Sequence, residues 1–474
     1  MTGVLLFLRT HTGLWLLLAF TLLVRGGLMI ARFDQLRDDP DDYNLIAYNL
    51  VRMAVFSMDD ASESGGREIN ATPSAFRPPL YPVLLSNLAV GEDKIIYWDS
   101  IAILHLAMGL ATVWLTWLIA RALDLGWSSY LAGALVACDP ILLNQQSLVM
   151  TETLAALCTV IAWGLLVRLH FDRNWWNAAL AGGAIGLAAL CRPSFLPWLF
   201  LSAALVLLLQ PGKFPPVGSK TKLKKNAAHQ WGLRFLNAAA LLIGGLGVMF
   251  PWAWRNYQVF SEPLLTTTHG GYTLYLANNR HFYSYLRNDK TGLPWNPREQ
   301  TVFGGPLQVR QSFREERYGL LYGAGAPRLP NDATREFVVD RLQTEQAWRE
   351  VRDDPAGFFF AALHRVRQLW SPLPYKLEEE SSSRTLLRYL TAAWYLGVYA
   401  LALVGSYRLR GQLLRSPWIW GALLCFLFTS IHTLYWCNLR MRAPLMPVVA
   451  VVAAAGALHL SRLRKSAAET TAGK

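Results

Sequence analysis

Long apolar stretches recur along this 474-residue chain, and they constrain its fold more than any other feature. A helix of about 20 apolar residues crosses the hydrocarbon core of a membrane. We predict ten such spans, at about 12–31, 97–120, 128–146, 153–170, 176–191, 193–210, 232–253, 385–406, 417–436 and 442–460. The predicted fold class is therefore all-α: a multi-pass transmembrane helical bundle of about ten spans, with interfacial helices in two outer loops.

The composition supports a membrane protein and argues against a nucleic-acid partner. Charged residues make up 16% of the chain, against about 25% in ordinary soluble domains. The net charge of +13 gathers in short loops between spans, where it sets membrane orientation. The five cysteines all fall in apolar stretches without metal-site spacing, which is typical of small buried hydrophobic residues.

The cations predict the orientation of the chain. In a ten-span arrangement one side carries Arg9, Arg121, Arg173, the run from Lys213 to Lys225, Arg408, Arg410, Arg415, Arg462, Arg464 and Lys465. The cation-rich side of a membrane protein faces the cytoplasm, so loops 32–97 and 255–384 lie outside. We expect a plasma (inner) membrane protein whose first span is a retained signal anchor and whose active site faces outward.

This orientation divides the chain into three predicted parts. Residues 1–254 form an N-terminal transmembrane module, and its first outer loop (32–97) bears the active site. Residues 255–384 form an outer, periplasmic loop domain, and residues 385–474 form a C-terminal transmembrane module. In the outer domain, helical periodicity covers Asn331 to Arg352. Asp354 and Pro355 then predict a cap and first turn for a helix that ends near Trp370.

A group of acids follows the first span directly. Asp38, Asp39, Asp41 and Asp42 occupy four of five positions and precede Tyr43, where an interfacial helix is predicted to begin. Crowded carboxylates raise each other's pKa and can take up a proton or hold a cation. The same residues also fit a solvated loop that helps to set topology. Asp41 and Asp42, at the start of the helix, suit helix caps or cation ligands because the helix dipole stabilises their charge.

A further acid and an arginine occur on the same predicted face. Glu152 starts the fourth span, and the helix dipole alone would also account for its position. Arg77 precedes Pro78 and Pro79, which make a rigid bend. A guanidinium held there suits a phosphate, since it forms charge-assisted, often bidentate bonds. The alternative is an interfacial arginine that pairs with lipid head groups.

Other arginines lie at predicted outer turns. Arg192 precedes Pro193, and Arg255 follows the seventh span. Arg440 and Arg442 lie between the last two spans, on the predicted outer face, and are exceptions to the cytoplasmic location of the other cations. Cations at such positions need an anionic partner.

A glycine pair follows the seventh span at some distance. Gly270 and Gly271 precede Asn278 and Asn279, and the segment is rich in Thr and Tyr. Glycine lets a backbone approach a ligand closely, and these polar side chains suit a sugar. A glycine turn in a surface hairpin explains the segment equally well.

Taken in order, these motifs resemble those of the GT-C superfamily of multi-pass glycosyltransferases, which take sugars from polyprenyl-phosphate donors. The resemblance is strongest to bacterial relatives of protein O-mannosyltransferases, the aminoarabinose transferase acting on lipid A, and lipopolysaccharide galacturonosyltransferases. It runs from the first span to the last. Its motifs are Asp39…Tyr43, Arg77-Pro78-Pro79-Leu80-Tyr81-Pro82, Thr151-Glu152, Arg192-Pro193, Pro251-Trp252…Arg255-Asn256, Gly270-Gly271…Asn278-Asn279 and Arg440…Arg442…Pro444…Pro447.

The resemblance implies roles for individual residues. It implies that Asp39, four residues before a tyrosine, is catalytic, that Glu152 is the second acid, and that Arg77 contacts the donor phosphate. The other predicted substrate-binding residues are Tyr43, Tyr81, Asp42, Arg192, Arg255, Asn278, Asn279, Arg440 and Arg442. The neighbouring acids leave open which carboxylate acts as the base. A divalent cation between Asp39 and Glu152 also stays open, because His269 and His281 stand alone.

The implied reaction is an inverting transfer to a hydroxyl of a lipid, glycan or protein acceptor. Asp39 would remove the acceptor's proton, and the arginines would stabilise the leaving phosphate. Two alternatives remain: a transporter or flippase of lipid-linked or anionic solutes, and a diphosphate-donor polymerase or ligase of surface polysaccharide. Against a transporter, the sequence shows no internal repeat of the kind many transporters have.

The orientation can be tested by cysteine-accessibility labelling at Ser219 and Gly305. We expect an impermeant thiol reagent added from outside to label a cysteine at Gly305 and not at Ser219, because the loops that carry them lie on opposite faces. The parent protein, whose cysteines all lie in apolar stretches, is the control. Labelling of both positions from one side would contradict the ten-span topology.

Overall fold

The computed structural model describes residues 12–60, 71–208, 227–288, 307–323, 326–376 and 380–472. The regular secondary structure of these residues is helical, and the pairing of Val90 with Ile95 is a lone β-bridge outside any strand. The predicted all-α class is therefore confirmed. The labelling positions Ser219 and Gly305 lie outside the described residues.

The first half of the chain contains ten helices within the described ranges. They are α1 (Thr12–Ala31), α2 (Tyr43–Met53), α3 (Leu80–Ser86), α4 (Trp98–Ala122), α5 (Ser128–Ala137), α6 (Pro140–Gln145), α7 (Glu152–Phe171), α8 (Trp175–Cys191), α9 (Leu196–Leu208) and α10 (Ala227–Phe260). Helices α2 and α3 belong to the first long hydrophilic loop, as predicted. Most of the others are strongly apolar.

The second half continues with α11 (Gly270–Ala277), α12 (Arg280–Asn288), α13 (Leu307–Tyr322), α14 (Thr334–Asp353), α15 (Pro355–Trp370), α16 (Ser382–Leu409), α17 (Ile419–Ile431) and α18 (Met446–Ala472). Helices α14 and α15 confirm the two predicted helices of the outer loop. Asp354 caps α15 as expected, since its carboxylate accepts the Gly357 N–H at 2.8 Å. Gly270 and Gly271 begin α11, so the alternative of a hairpin turn is wrong.

Six segments are long and apolar enough to cross a membrane, which supports a multi-pass protein but does not confirm ten spans. They are Thr12–Ala31, Trp98–Ala122, Glu152–Phe171, Gln230–Phe260, Ser382–Leu409 and Leu439–Thr471. The other four predicted spans coincide with shorter apolar helices: Ser128–Ala137, Trp175–Cys191, Pro193–Leu208 and Ile419–Ile431. The predicted span 128–146 is interrupted because Asp139 caps a new helix, accepting the Leu142 N–H at 3.0 Å.

Glycines allow two pairs of helices to touch backbone to backbone. A Cβ atom on Gly182 of α8 would overlap the carbonyl oxygen of Leu241 in α10, and one on Gly244 would overlap that of Ala179. Gly405 of α16 and Gly456 of α18 make a similar close approach. Small residues at such contacts let apolar helices pack tightly in lipid, where burial alone does not bring helices together.

Arg25, an unexpected charge in the first span, is held by the neighbouring helices. It is buried, and its guanidinium donates to the Gln146 side chain at 3.1 Å and to the Val136 carbonyl at 2.8 Å. The Gln146 amide in turn donates to the Arg25 carbonyl at 2.9 Å. Because polar groups inside a helical bundle require such partners, these bonds account for Arg25 as an element of the fold.

The close glycine contact between α8 and α10 gives a direct test of the fold. We expect Gly182→Ala to lower the free energy of unfolding by about 1–3 kcal/mol, because the added methyl forces the two backbones apart. Gly183→Ala is the matched control, since a Cβ at that neighbouring position would lie 3.6 Å from the Val248 side chain, an ordinary contact. Thermal unfolding of the two purified variants in detergent measures their stabilities. Equal stabilities of Gly182→Ala and Gly183→Ala would contradict this packing.

Candidate active site

Acids and arginines from distant parts of the sequence meet at one end of the bundle. The Arg77 Nη2 lies 2.7 Å from Asp41 Oδ1, and the Arg440 Nη2 lies 3.6 Å from Asp41 Oδ2. The Arg440 Nε and the Arg192 Nη1 lie 3.5 Å and 3.6 Å from Glu152 Oε1. We call these five residues the acid–arginine cluster. Three guanidiniums and two carboxylates leave one positive charge in excess when all are ionised.

Each member stands where a helix begins or a helix has just ended. Asp41 lies in the turn before α2, and Arg77 lies in the Arg-Pro-Pro bend before α3. Glu152 is the first residue of α7. Arg192 follows α8, and Arg440 lies in a 3₁₀ segment, Leu439–Leu445, just before α18. The backbone at such ends is free to turn, so side chains from several helices can converge on one point.

The cluster is largely buried, with Arg192 and Arg440 partly exposed, and its hydrogen bonding is incomplete. Glu152 is 0% exposed, and neither of its carboxylate oxygens has a hydrogen-bond partner among the described residues. The Nε atoms of Arg77 and Arg440 and the Nη1 of Arg192 likewise have none. Buried charges are costly unless paired and hydrogen-bonded. The incomplete hydrogen bonding and the excess positive charge therefore suit an additional anion.

Asp39 is placed differently from the other acids. Its Oδ1 accepts the Tyr43 N–H at 2.9 Å, and its Oδ2 accepts the N–H groups of Asn44 and Leu45 at 2.8 and 3.1 Å. Burial raises the pKa of the Asp39 carboxyl to about 6, although these backbone hydrogen bonds and the α2 N-terminus favour its charged form. Asp39 is thus a helix-capping carboxylate with a proton affinity near the neutral range.

The prediction that Asp41 and Asp42 serve as helix caps needs correction. Asp42 occupies the cap position of α2 in the left-handed conformation, at φ 61°, without a side-chain capping bond. The Asp42 N–H donates to the Asp39 carbonyl at 3.2 Å, so the chain turns there. This turn brings the Asp39 carboxylate over the first N–H groups of α2 and leaves Asp41 to pair with arginines, which fits its other predicted use as a cation partner.

The predicted residues Tyr43 and Tyr81 form one wall beside the cluster. The Arg77 guanidinium lies 5.7 Å from the centre of the Tyr43 ring, and the Tyr43 and Tyr81 rings are 5.4 Å apart. The Tyr81 hydroxyl lies 2.6 Å from the His105 Nε2. Burial raises the pKa of both tyrosines above the ordinary value, so they remain neutral and contribute ring surface.

Two predicted arginines lie outside the cluster. The Arg255 Nη1 donates to the Ser74 carbonyl at 2.8 Å and its guanidinium stacks on Trp252. Arg442 is fully buried and donates to the Leu369 carbonyl at 2.9 Å, with its guanidinium 4.2 Å from the centre of the Tyr395 ring. The structure therefore places both as tethers: Arg255 holds the first outer loop, and Arg442 holds the end of α15.

Asn278 and Asn279 also have local structural partners. Both are fully buried in the connection between α11 and α12. The Asn278 amide donates to the Leu274 and Leu434 carbonyls at 2.8 and 2.7 Å. The Asn279 amide donates to the Tyr275 carbonyl at 2.9 Å, and its oxygen accepts the Phe282 N–H at 2.8 Å. These bonds account for the polar groups that the sequence analysis assigned to a sugar.

The geometry does not form a cation cage between Asp39 and Glu152. Within the described ranges no three His, Cys, Asp or Glu side chains gather as a metal site. The oxygens of Asp39 accept backbone N–H groups, and Glu152 faces two guanidiniums. A divalent cation would have to compete with these partners, so the metal stays an untested prediction.

One functional neighbour, Glu336 of α14, gave no signal in the sequence. It accepts the Ala75 N–H at 3.2 Å and the hydroxyls of Ser74 and Thr268. Burial raises its pKa. It therefore ties the outer loop domain to the backbone two residues before Arg77. This role of Glu336 becomes visible only in its contacts with Ser74 and Ala75, which lie more than 250 positions away in the sequence.

The fold and the cluster together define a multi-pass helical membrane protein with a buried, arginine-rich site at one end of its bundle. Residues 94–244, about a third of the chain, match the model of the dolichyl-phosphate-mannose-protein mannosyltransferase family. This match includes Glu152 and Arg192, and it confirms the resemblance to GT-C glycosyltransferases over these residues. None of the curated proteins matches the chain.

Solved structures of two kinds are similar. The archaeal oligosaccharyltransferase AglB from Archaeoglobus fulgidus, in complex with an inhibitory peptide and a dolichol-phosphate, is 16% identical, with a TM-score of 0.49 over 97% of this chain and 52% of AglB. ArnT from Cupriavidus metallidurans, bound to undecaprenyl phosphate, is 13% identical, with a TM-score of 0.33 over 94% of this chain and 78% of ArnT. The chain thus spans about half the length of AglB.

The pairing within the cluster predicts a non-additive effect on stability. We expect Arg77→Met to lower the free energy of unfolding by about 3–5 kcal/mol, because it leaves the buried Asp41 carboxylate without its closest partner. Adding Asp41→Asn should recover part of that loss. Unfolding of the purified single and double variants measures the coupling.

The control for this comparison is Arg52→Met, which removes an exposed arginine from α2 in the same loop. It should change stability by no more than about 0.5 kcal/mol. Additive effects of Arg77→Met and Asp41→Asn would show that the two side chains do not interact in the folded protein.

Proposed function

We propose that this protein is an integral membrane, inverting glycosyltransferase that moves a sugar from a polyprenyl-phosphate donor to a hydroxyl of a lipid, glycan or protein acceptor. The observation that carries the proposal is the acid–arginine cluster, with its excess positive charge and buried donors that lack partners. A polyprenyl phosphate suits such a site because its tail stays in lipid while its phosphate reaches the polar end of the bundle.

The arginines fit the leaving phosphate. When the bond to the sugar breaks, the departing phosphate gains negative charge, and fixed cations in a water-poor site stabilise that charge strongly. Arg77, Arg192 and Arg440 approach from three separate segments. Their guanidiniums stay charged and can each direct two N–H groups at phosphate oxygens. A bound phosphate would also accept hydrogen bonds from the donors that lack partners.

Asp39 fits the base that removes the acceptor's proton. Asp41 and Glu152 are ion-paired with arginines, whereas Asp39 accepts hydrogen bonds from backbone N–H groups. Its pKa of about 6 lies close to neutral pH, and a general base works best when its pKa is near the working pH. Attack by the activated hydroxyl from the side opposite the phosphate inverts the anomeric centre.

The family match supports the donor class, because the matched family is described by its dolichyl-phosphate-mannose donor. The distribution of Lys and Arg supports an outward-facing site in a plasma (inner) membrane. In that orientation the donor's phosphate lies at the outer interface. The acceptor hydroxyl reaches the cluster from the outer aqueous side, beneath the loop domain.

The proposal is tested by turnover of the purified protein with a synthetic polyprenyl-phosphate sugar. We expect Asp39→Asn to lower turnover by about 10²–10⁴-fold, because an amide cannot accept the acceptor's proton. Donor binding should largely persist. In the wild type, turnover should rise with pH through about 6, since Asp39 acts only after it has lost its proton.

Two further variants separate binding from chemistry. Arg440→Gln should weaken donor binding about ten- to a hundredfold, which corresponds to the 1.5–3 kcal/mol of a charged hydrogen bond, whereas the exposed Arg52→Gln should not. Near-normal turnover in Asp39→Asn, with loss in Asp41→Asn or Glu152→Gln, would move the base to that residue. Absence of both donor binding and turnover in the folded wild type would overturn the proposed function.

A further inference from the structure

A cavity lined by apolar surface and several polar side chains lies at the opposite end of the bundle from the acid–arginine cluster. It has a volume of about 220 Å³, and its lining includes His170 and Arg173 at the end of α7 and Arg234 and Asn237 near the start of α10. Glu152 begins the same α7 helix. With a rise of about 1.5 Å per residue, the two sites lie roughly 27 Å apart. The cavity is therefore separate from the proposed active site.

Five buried polar atoms around this cavity have no hydrogen-bond partner among the described residues. Arg234 is 8% exposed, and its Nε has no hydrogen-bond partner in the described part of the chain. The same holds for the His170 Nδ1, the Asn237 Oδ1, the Ser416 Oγ and the Trp420 Nε1. A buried polar atom without a partner costs about 1–3 kcal/mol, and native structures contain few of them. Five around one cavity indicate a polar ligand.

The described residues that line the cavity include two arginines and no Asp or Glu. Among the described residues no carboxylate forms an ion pair with Arg173 or Arg234. The nearby Asp172 is engaged by the side-chain amides of Asn174 and Asn177, each at 2.9 Å. Burial, and then the charge of Arg234, lower the pKa of Arg173. The adjoining segment 209–226 contains lysines and no Asp or Glu.

The size and the remaining lining restrict the ligand further. Pockets for whole drug-sized molecules hold about 300–1,000 Å³, so a cavity of about 220 Å³ holds a compact group. Leu205, Val206 and Leu233 supply an apolar side to the lining. The exposed Trp231 ring lies 4.9 Å from the Arg234 guanidinium, and tryptophan is enriched at the level of lipid head groups.

We propose that this cavity binds the phosphate of an anionic molecule through Arg173 and Arg234, with Asn237 and Ser416 completing its hydrogen bonds. The phosphate belongs to a phospholipid head group of the adjacent leaflet or to a soluble phosphate compound, and both present the same group. Two guanidiniums suit a phosphate because they form charge-assisted bonds to its oxygens. The inference does not depend on the glycosyltransferase proposal.

The experiment compares anion binding by the wild type and by an Arg173→Gln/Arg234→Gln variant. The full-length protein is purified in dodecyl maltoside, a detergent without phosphate, and its thermal unfolding is followed while phosphatidylglycerol or inorganic phosphate is added. We expect at least one of these probes to raise the Tm of the wild type. The variant should need at least about ten times more of that probe for the same shift, which corresponds to the loss of one charged hydrogen bond.

The matched control is Arg121→Gln/Arg168→Gln, which removes the same charge from exposed positions at the same end of the bundle. It should respond as the wild type does. A response to phosphatidylglycerol alone assigns the site to a lipid, and a response to inorganic phosphate assigns it to a soluble compound. If neither probe separates the variant from the control, the proposal is overturned.

A second variant guards against misfolding of the arginine variant. Val206→Phe fills the cavity with an apolar side chain and keeps both arginines. It should abolish the response to the effective probe while leaving the unfolding temperature in dodecyl maltoside alone at or above the wild-type value. A full response in Val206→Phe would contradict the assignment of the ligand to this cavity, whatever the outcome for the arginine variant.

Discussion

The buried ion pair between Arg77 and Asp41 is the interaction on which the organisation of the site depends. Its 2.7 Å contact joins the start of the first outer loop to the Arg-Pro-Pro bend of the same loop, and Arg440 extends it to Glu152 and the last helices. Removing one partner of such a pair leaves an uncompensated buried charge. The cluster therefore holds distant segments in register and, at the same time, concentrates positive charge at one end of the bundle.

The helices beneath the cluster provide a rigid base for it. Gly182 and Gly244 bring α8 and α10 into backbone contact, and Gly405 and Gly456 do the same for α16 and α18. Tight packing of this kind fixes where Arg192, at the end of α8, and Arg440, before α18, emerge. A site assembled from helix ends needs this rigidity, because small displacements of a reacting group are costly in rate.

The acid–arginine cluster and the cavity near Arg173 and Arg234 both contain buried arginine donors without hydrogen-bond partners among the described residues, but they differ in their balance of charge. In the acid–arginine cluster, carboxylates offset most of the positive charge, and the remaining imbalance suits a phosphate that arrives and leaves. In the cavity near Arg173 and Arg234, no described carboxylate offsets the two guanidiniums. A charge without any internal partner favours a ligand that stays, because its departure would leave the arginines desolvated and unpaired.

The sequence by itself determined the all-α class and the helices of the two outer loops, because apolar run length, capping residues and proline bends are local properties. It predicted the acids and Arg77 on one face of the membrane but not their contact. It also placed Asp39, Glu152, Arg192 and Arg440 among the candidates. Only the tertiary structure separated Arg192 and Arg440, which join the cluster, from Arg255 and Arg442, which hold backbone carbonyls. It also showed that Asp39 accepts the first N–H groups of α2 while Asp41 pairs with Arg77, and it brought Glu336 beside Ala75. A side chain's partner depends on the direction of the backbone that carries it and on which remote helix lies beside that side chain. Local sequence encodes neither of these.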